Sequence, residues 1–209
     1  MKKLTILLLL FFFSVGASFS ANPIRYGVEG GVNFSRNKSF DFKFITSFRV
    51  GGSIEYAIPM SAVSEFLFSS GLLFTEKGGR INDLRKITMS AYYLQVPLNI
   101  GFRQRLTSDF KLVEEFGPYL AYGLFGKTKI SEFIDDAGKV FPQDNFNTFS
   151  RYKRFDAGLG LKLGIEYNEM IRLSWGMDIG FLKTAKDIKD YPDTTGENFS
   201  TYISLGFFF

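Results

Sequence analysis

The 209-residue chain has no cysteine and no histidine, and it sets 25 Lys and Arg against 21 Asp and Glu. Lacking those two residue types, it lacks the commonest metal ligands, general bases and activated nucleophiles, any disulfide framework, and the cysteine that a bacterial lipoprotein acylates. Its 26 Phe and 21 Gly are well above ordinary usage while mean hydropathy is only +0.03, which fits strands with one apolar and one polar face.

Residues 1–20 have the three-part plan of a cleavable signal peptide: Lys2 and Lys3, an apolar run from Leu4 to Phe13, and a small-residue zone ending Ser18-Phe19-Ser20, with cleavage expected before Ala21. The apolar run is about half of the roughly 20 residues that a spanning helix needs. The remaining domain is 21–209. Without Lys2 and Lys3 it carries 23 basic residues (25 − 2) against 21 acidic, so charge gives no argument for a nucleic-acid partner. No later stretch is apolar for long enough to span as a helix, so any membrane crossing must use strands.

Period-two alternation predicts eight strands, near 24–34, 44–57, 65–76, 89–105, 109–126, 152–167, 170–182 and 199–209. In the fourth, Tyr92, Leu94, Val96, Leu98, Ile100 and Phe102 share one face and Tyr93, Gln95, Asn99, Gly101 and Arg103 the other. In the sixth, Phe155, Leu159, Leu161, Leu163, Ile165 and Tyr167 oppose Asp156, Gly158, Gly160, Lys162, Gly164 and Glu166. Short connections near 58–64, at Leu106-Thr107-Ser108 and at Asn168-Glu169 alternate with longer ones near 35–43, 77–88, 127–151 and 183–198. Outer-membrane barrels sort their loops in this way, with short periplasmic turns and long external loops. The expected fold is all-β: an eight-stranded antiparallel up-and-down transmembrane β-barrel preceded by a signal peptide.

The polar faces decide which side meets lipid. They carry Arg25, Arg49, Arg103, Lys111, Lys162 and Arg172 with Glu29, Glu55, Glu115, Asp156, Glu166 and Asp178, a neutral set interleaved with glycines. An eight-stranded barrel has an interior only wide enough for side chains, so these charges are expected to pair inside a plugged lumen. On the other face, Tyr26 and Phe34, Phe48 and Tyr56, Tyr92 and Phe102, Phe110 and Tyr122, and Phe155 and Tyr167 stand near strand ends, as two interfacial girdles would. Glu114 breaks the apolar face and is expected at the interface, close to a tight turn. A soluble lipocalin-like binder, the rival reading, needs the opposite polarity.

Gly27 through Ser35, Tyr93-Leu94-Gln95-Val96-Pro97-Leu98, Gly117-Pro118-Tyr119-Leu120 and Phe155-Asp156-Ala157-Gly158-Leu159-Gly160 together resemble the PorT family of outer-membrane β-barrel proteins. The resemblance spans nearly the whole chain after residue 20. It implies an eight-stranded barrel in the outer membrane of a Gram-negative bacterium; separately, the terminal strand, Ser204 to Phe209, resembles the signal read by the barrel-assembly machinery. Some relatives serve a protein-secretion system, and this gives the alternative role of secretion or transport accessory.

No residues argue for catalysis, a cofactor or a metal. Asp156 and Glu166 share a face but lie roughly 33 Å apart along a strand, too far for paired acid–base chemistry. Gly158-Leu159-Gly160 lacks the spacing and the following helix of a phosphate loop. Asp135, Asp136, Asp187, Asp190 and Asp193 read as solvated loop charge, and Lys127, Lys129, Lys183, Lys186 and Lys189 as rim lysines without a dedicated ligand, with contact to lipopolysaccharide phosphates the alternative. The expectation is a non-enzymatic barrel whose partners are outer-membrane lipid, lipopolysaccharide and a protein met through the loops at 127–151 and 183–198.

Overall fold

A computed structural model describes residues 23–38, 43–82, 86–131, 133–134, 140–141, 143–183 and 196–209. The signal-peptide segment, Asp135, Asp136, Lys186, Asp187, Lys189, Asp190 and Asp193 lie outside these residues. Eight long strands form the wall: β1 (Ile24–Asn37), β2 (Ile45–Pro59), β3 (Ser64–Asn82), β4 (Lys86–Arg105), β5 (Phe110–Ile130), β9 (Phe155–Tyr167), β10 (Ile171–Gly180) and β11 (Asn198–Phe208). Between β5 and β9 lie three short strands, β6 (Phe133–Ile134), β7 (Val140–Phe141) and β8 (Asp144–Asn147), and a one-turn helix α1 (Thr148–Arg151).

Each long strand pairs antiparallel with its sequence neighbour in the wall, and β1 pairs with β11, so the sheet closes and its hydrogen bonding runs round without an edge. Stepping through paired residues from Ile24 by Tyr56, Phe68, Ile100, Phe116, Leu161, Met177 and Thr201 returns to β1 at Phe34, a stagger of ten residues. Eight strands with that stagger tilt by about 40° and enclose a lumen only side chains can fill.

One end carries the start of β1, the end of β11 and the short turns. There Ala57 donates to the Pro23 carbonyl, Phe209 exchanges backbone bonds with Tyr26, and Leu106 closes on Phe110. The turn between β9 and β10 places Asn168 and Glu169 at φ 48° and 59°, two left-handed residues in a tight loop that Met170 closes by donating to the Tyr167 carbonyl. The opposite end is irregular and longer. The predicted loop at 77–88 is a correction, because 77–82 and 86–88 are paired strand. Beyond the bilayer a strand no longer needs an apolar outer face, so Gly78, Gly79 and Arg80 continue the ladder without the alternation that marks it lower down. The predicted loop at 127–151 likewise extends β5 to Ile130 and adds β8 along its edge. Residues 152–154, read as strand, lie outside β9, whose start is fixed instead by Arg154 donating to the Gly123 and Leu124 carbonyls.

Alternation holds around the wall. On β9, Asp156, Gly164 and Glu166 are buried while Leu159, Leu161, Leu163 and Ile165 are exposed. The outward aromatics form two bands, one near the short turns with Phe110 against Tyr167 at 5.2 Å, the other at the far end where Phe48, Phe74, Tyr92 and Phe125 pack on one another. This polarity removes the soluble-binder alternative, since a water-soluble barrel would turn its leucines inward. Glu114 is on the outward face, paired across to Phe102 and Leu163 and four residues into β5 from Phe110. That is roughly 10 Å of axial height above the turn, level with Phe102 among the aromatics near the strand ends.

Candidate functional site

With the outer face apolar, whatever chemistry the chain has is held in its lumen and at its outer rim. Eleven of the twelve charged residues assigned to the lumen are buried, and the Lys162 side chain keeps only 11% exposure. Alternation on six different strands aims them at one axis, and glycines on the same faces give them room. At Gly176, for example, a Cβ would run into the Tyr202 ring and the Leu161 carbonyl.

Arg172 sits at the centre of the lattice in the half nearer the short turns. Its guanidinium donates to Glu55 at 2.5 and 2.9 Å and to Glu166 at 2.5 and 3.0 Å, and it stands 3.5 Å from Glu115. Arg25 grips Glu166 from the other side at 3.1 Å, and Arg103 bridges Glu55, Glu65 and Glu166. Lys111 reaches Glu169 at 2.7 Å. The Phe208 ring lies beneath, with the guanidinium carbons of Arg172 and Arg25 4.0 and 5.1 Å from its centre. Of the three final phenylalanines, alternation therefore sends the middle one inside. Higher up, Lys162 pairs with Glu115 at 2.7 Å, and Arg49 lies between Glu29 and Asp178 with its guanidinium 3.4 Å from the Tyr202 ring centre. Multiple partners per ion, in bidentate geometry, are what make burial of charge tolerable.

The outer half of the lumen is lined by different chemistry. Asp156 accepts from Lys77, Tyr119 and Asn198, and Gln95 donates to Asp178. Tyr93, Tyr119 and Phe149 form a buried apolar cluster with Ala91 and Ala121. Phe149 enters from α1, whose first turn is capped by the Asn147 side chain, and its ring fills the space that a Cβ on Gly123 would take. Sequence reasoning missed Lys77, because its segment was read as loop, and missed Phe149, because nothing in the 127–151 spacing marks a residue that folds back. Asp156 and Glu166 fall in separate clusters, as their spacing predicts. A cavity of about 30 Å³, roughly room for one water, lies in the middle of the lumen, lined by Glu29, Arg49, Gln95, Lys162 and Asp178 among others. Of the rim lysines, Lys127, Lys129 and Lys183 are exposed at the long-loop end.

A family model described as outer membrane protein beta-barrel domain matches residues 13–186. The chain belongs to the outer membrane protein β-barrel domain family. It is a protein of the Gram-negative outer membrane, with its apolar wall in hydrocarbon. Among solved structures it is similar to the attachment invasion locus protein Ail of Yersinia pestis, with 14% identity over 88% of this chain and 98% of that one and a TM-score of 0.40. It is similar to Neisserial surface protein A, with 12% identity over 91% and 98% and a TM-score of 0.42. OprG of Pseudomonas aeruginosa gives 11% identity over 88% and 95%, with a TM-score of 0.42. Likenesses of this degree say nothing of ligand or role. A search of curated proteins finds no match to the chain.

Proposed function

We propose that this family member is a non-enzymatic outer-membrane barrel with a plugged lumen, acting as a rigid structural platform that presents its external strands and loops to a partner. The observation that carries the reading is the lumen lattice: Arg172, Glu55, Glu166, Arg103 and Glu115 cross the bore with side chains at most a few per cent exposed. Ion pairs that span the bore oppose the passage of a hydrated ion and occupy carboxylates that a substrate would otherwise meet. Segments that resemble the PorT family contribute to this interior. Tyr119 donates to Asp156 and its ring abuts Gly158, so three of the quoted segments meet in one packed lumen cluster with Gln95 and Asp178 below.

The outer end supports the platform part. The extended β3–β4 hairpin, the upper turn of β5, and β8 form a sheet that continues beyond the outer aromatic band. Lipid around the wall and the barrel-assembly machinery during biogenesis are the partners this reading requires, and a protein partner would meet the end built from 127–151 and 183–198.

Single-channel recording of the full chain in planar bilayers tests the proposal. The expected record is a flat baseline across ±100 mV (about the range a membrane potential spans). Regular conductance steps from the wild-type barrel would overturn the plugged-lumen reading and favour a transport or secretion role.

A further inference from the structure

Cross-strand partners on a sheet share a face, so the register shows what stands above the outer aromatic band. Tyr92 pairs with Phe125, and both point outward, with ring centres 4.7 Å apart. One outward step further, Ser90 pairs with Lys127, and one step beyond that Thr88 pairs with Lys129. The second row continues on both sides: Arg80 is opposite Thr88, Lys43 bridges Arg80, and Asn145 is opposite Lys129. Four cations from three segments thus lie in a short arc of the outer wall. Lys43, Arg80, Lys127 and Lys129 are all exposed, and none makes an ion pair among the described residues. The lumen pairs its cations with carboxylates, and this arc does not.

The arc is also concave. Thr88, Ser90, Tyr92, Phe125, Lys127 and Lys129 line a cleft of about 360 Å³ with an aromatic floor and a cationic, hydroxyl-bearing upper wall. Its height is set by its floor, because outward tyrosine and phenylalanine rings settle at the membrane interface. Lys127 is two residues beyond Phe125, about 5 Å higher along the axis, at the level where lipid phosphates lie.

We propose that this cleft is a binding site for a phosphorylated glycolipid of the outer leaflet, a lipid A type molecule, whose phosphate sits between Lys127 and Lys129 while its sugar edge meets Thr88 and Ser90. The sugar–acyl boundary rests on the Tyr92 and Phe125 rings, and Arg80 and Lys43 extend the cationic contact to a second phosphate. The inference rests on the membrane orientation of the barrel and not on the sealed lumen, so a conducting barrel would leave it standing.

Equilibrium binding of lipid A to the folded full chain in detergent tests it, comparing lipid A carrying both phosphates, the same lipid dephosphorylated, and inorganic phosphate alone. Two lysines near a membrane surface are worth a combined loss of about 30-fold. Lys127→Gln with Lys129→Gln is therefore expected to weaken phosphorylated lipid A by about 30-fold, and Lys129→Gln alone by about 5-fold, while Lys183→Gln on another part of the rim changes nothing. Heat-modified mobility on gels verifies that each variant is folded, and the single variant stands in should the double fail. Equal affinity for dephosphorylated lipid A, or unchanged binding by the folded lysine variants, would overturn the proposal. Inorganic phosphate binding as tightly as the lipid would overturn the assignment to a glycolipid.

Discussion

Two faces of the same wall, one residue apart, obey opposite rules. On β9, Lys162 and Glu166 point inward to ion partners, while Leu161, Leu163 and Ile165 between and beside them point out to hydrocarbon. Inside, a charge is held because each lumen ion meets at least one opposite ion in fixed geometry, and Arg172 meets three. Outside, nothing can answer a charge, and apolar surface has no cost. What each position tolerates is set by which face it occupies rather than by depth from solvent, since both faces are far from water.

The largest effect should come from breaking the inside. Arg172→Ala leaves Glu55 and Glu166 buried without their main cation, and should cost about 3–5 kcal/mol. Urea unfolding in lipid vesicles would read this as a lower midpoint. An unchanged midpoint would mean that water already reaches the lattice. Placing the same chemistry outside comes next: Leu161→Arg near mid-wall should cost ~2–4 kcal/mol. Gly160→Ala, its inward neighbour, should cost less, because its new Cβ would meet only the Asp178 carboxylate tip at 3.0 Å. Equal tolerance of the two would erase the distinction between the faces. Glu114 sharpens the comparison as the natural exception. Glu114→Leu should stabilise the barrel by about 1 kcal/mol in the same titration, and a loss instead would show that something other than lipid meets that carboxylate.

The face rule was readable from residue type alone, because period-two alternation carries strand, face and closure together. The twelve charges from Arg25 to Asp178 were assigned inward on that basis and lie there. Alternation fails where one face stops being constrained. Past the outer girdle both sides of β3 and β4 meet water or neighbouring strands, so Lys77 was read as loop although its ammonium is buried against Asp156. At Tyr92/Tyr93 the register shifts by a bulge, which moves Phe125 onto the outward face beside Leu124 and restarts the alternation for Lys127 and Lys129. The cleft above Phe125 depends on that bulge and on cross-strand neighbours distant in sequence. Phe149 belongs to the same class, since its place over Gly123 follows from the path of β8 and α1.

The central claim, hydrocarbon outside and ions within, can be tested on the unmodified protein through its single tryptophan. Trp175 is on the outward face of β10, between Leu163 and Ile203, with 41% of its surface exposed. In vesicles of lipids brominated at mid-chain its fluorescence should be strongly quenched and its emission blue-shifted, while aqueous iodide has little effect. Emission that iodide quenches and brominated acyl chains leave untouched would contradict the account.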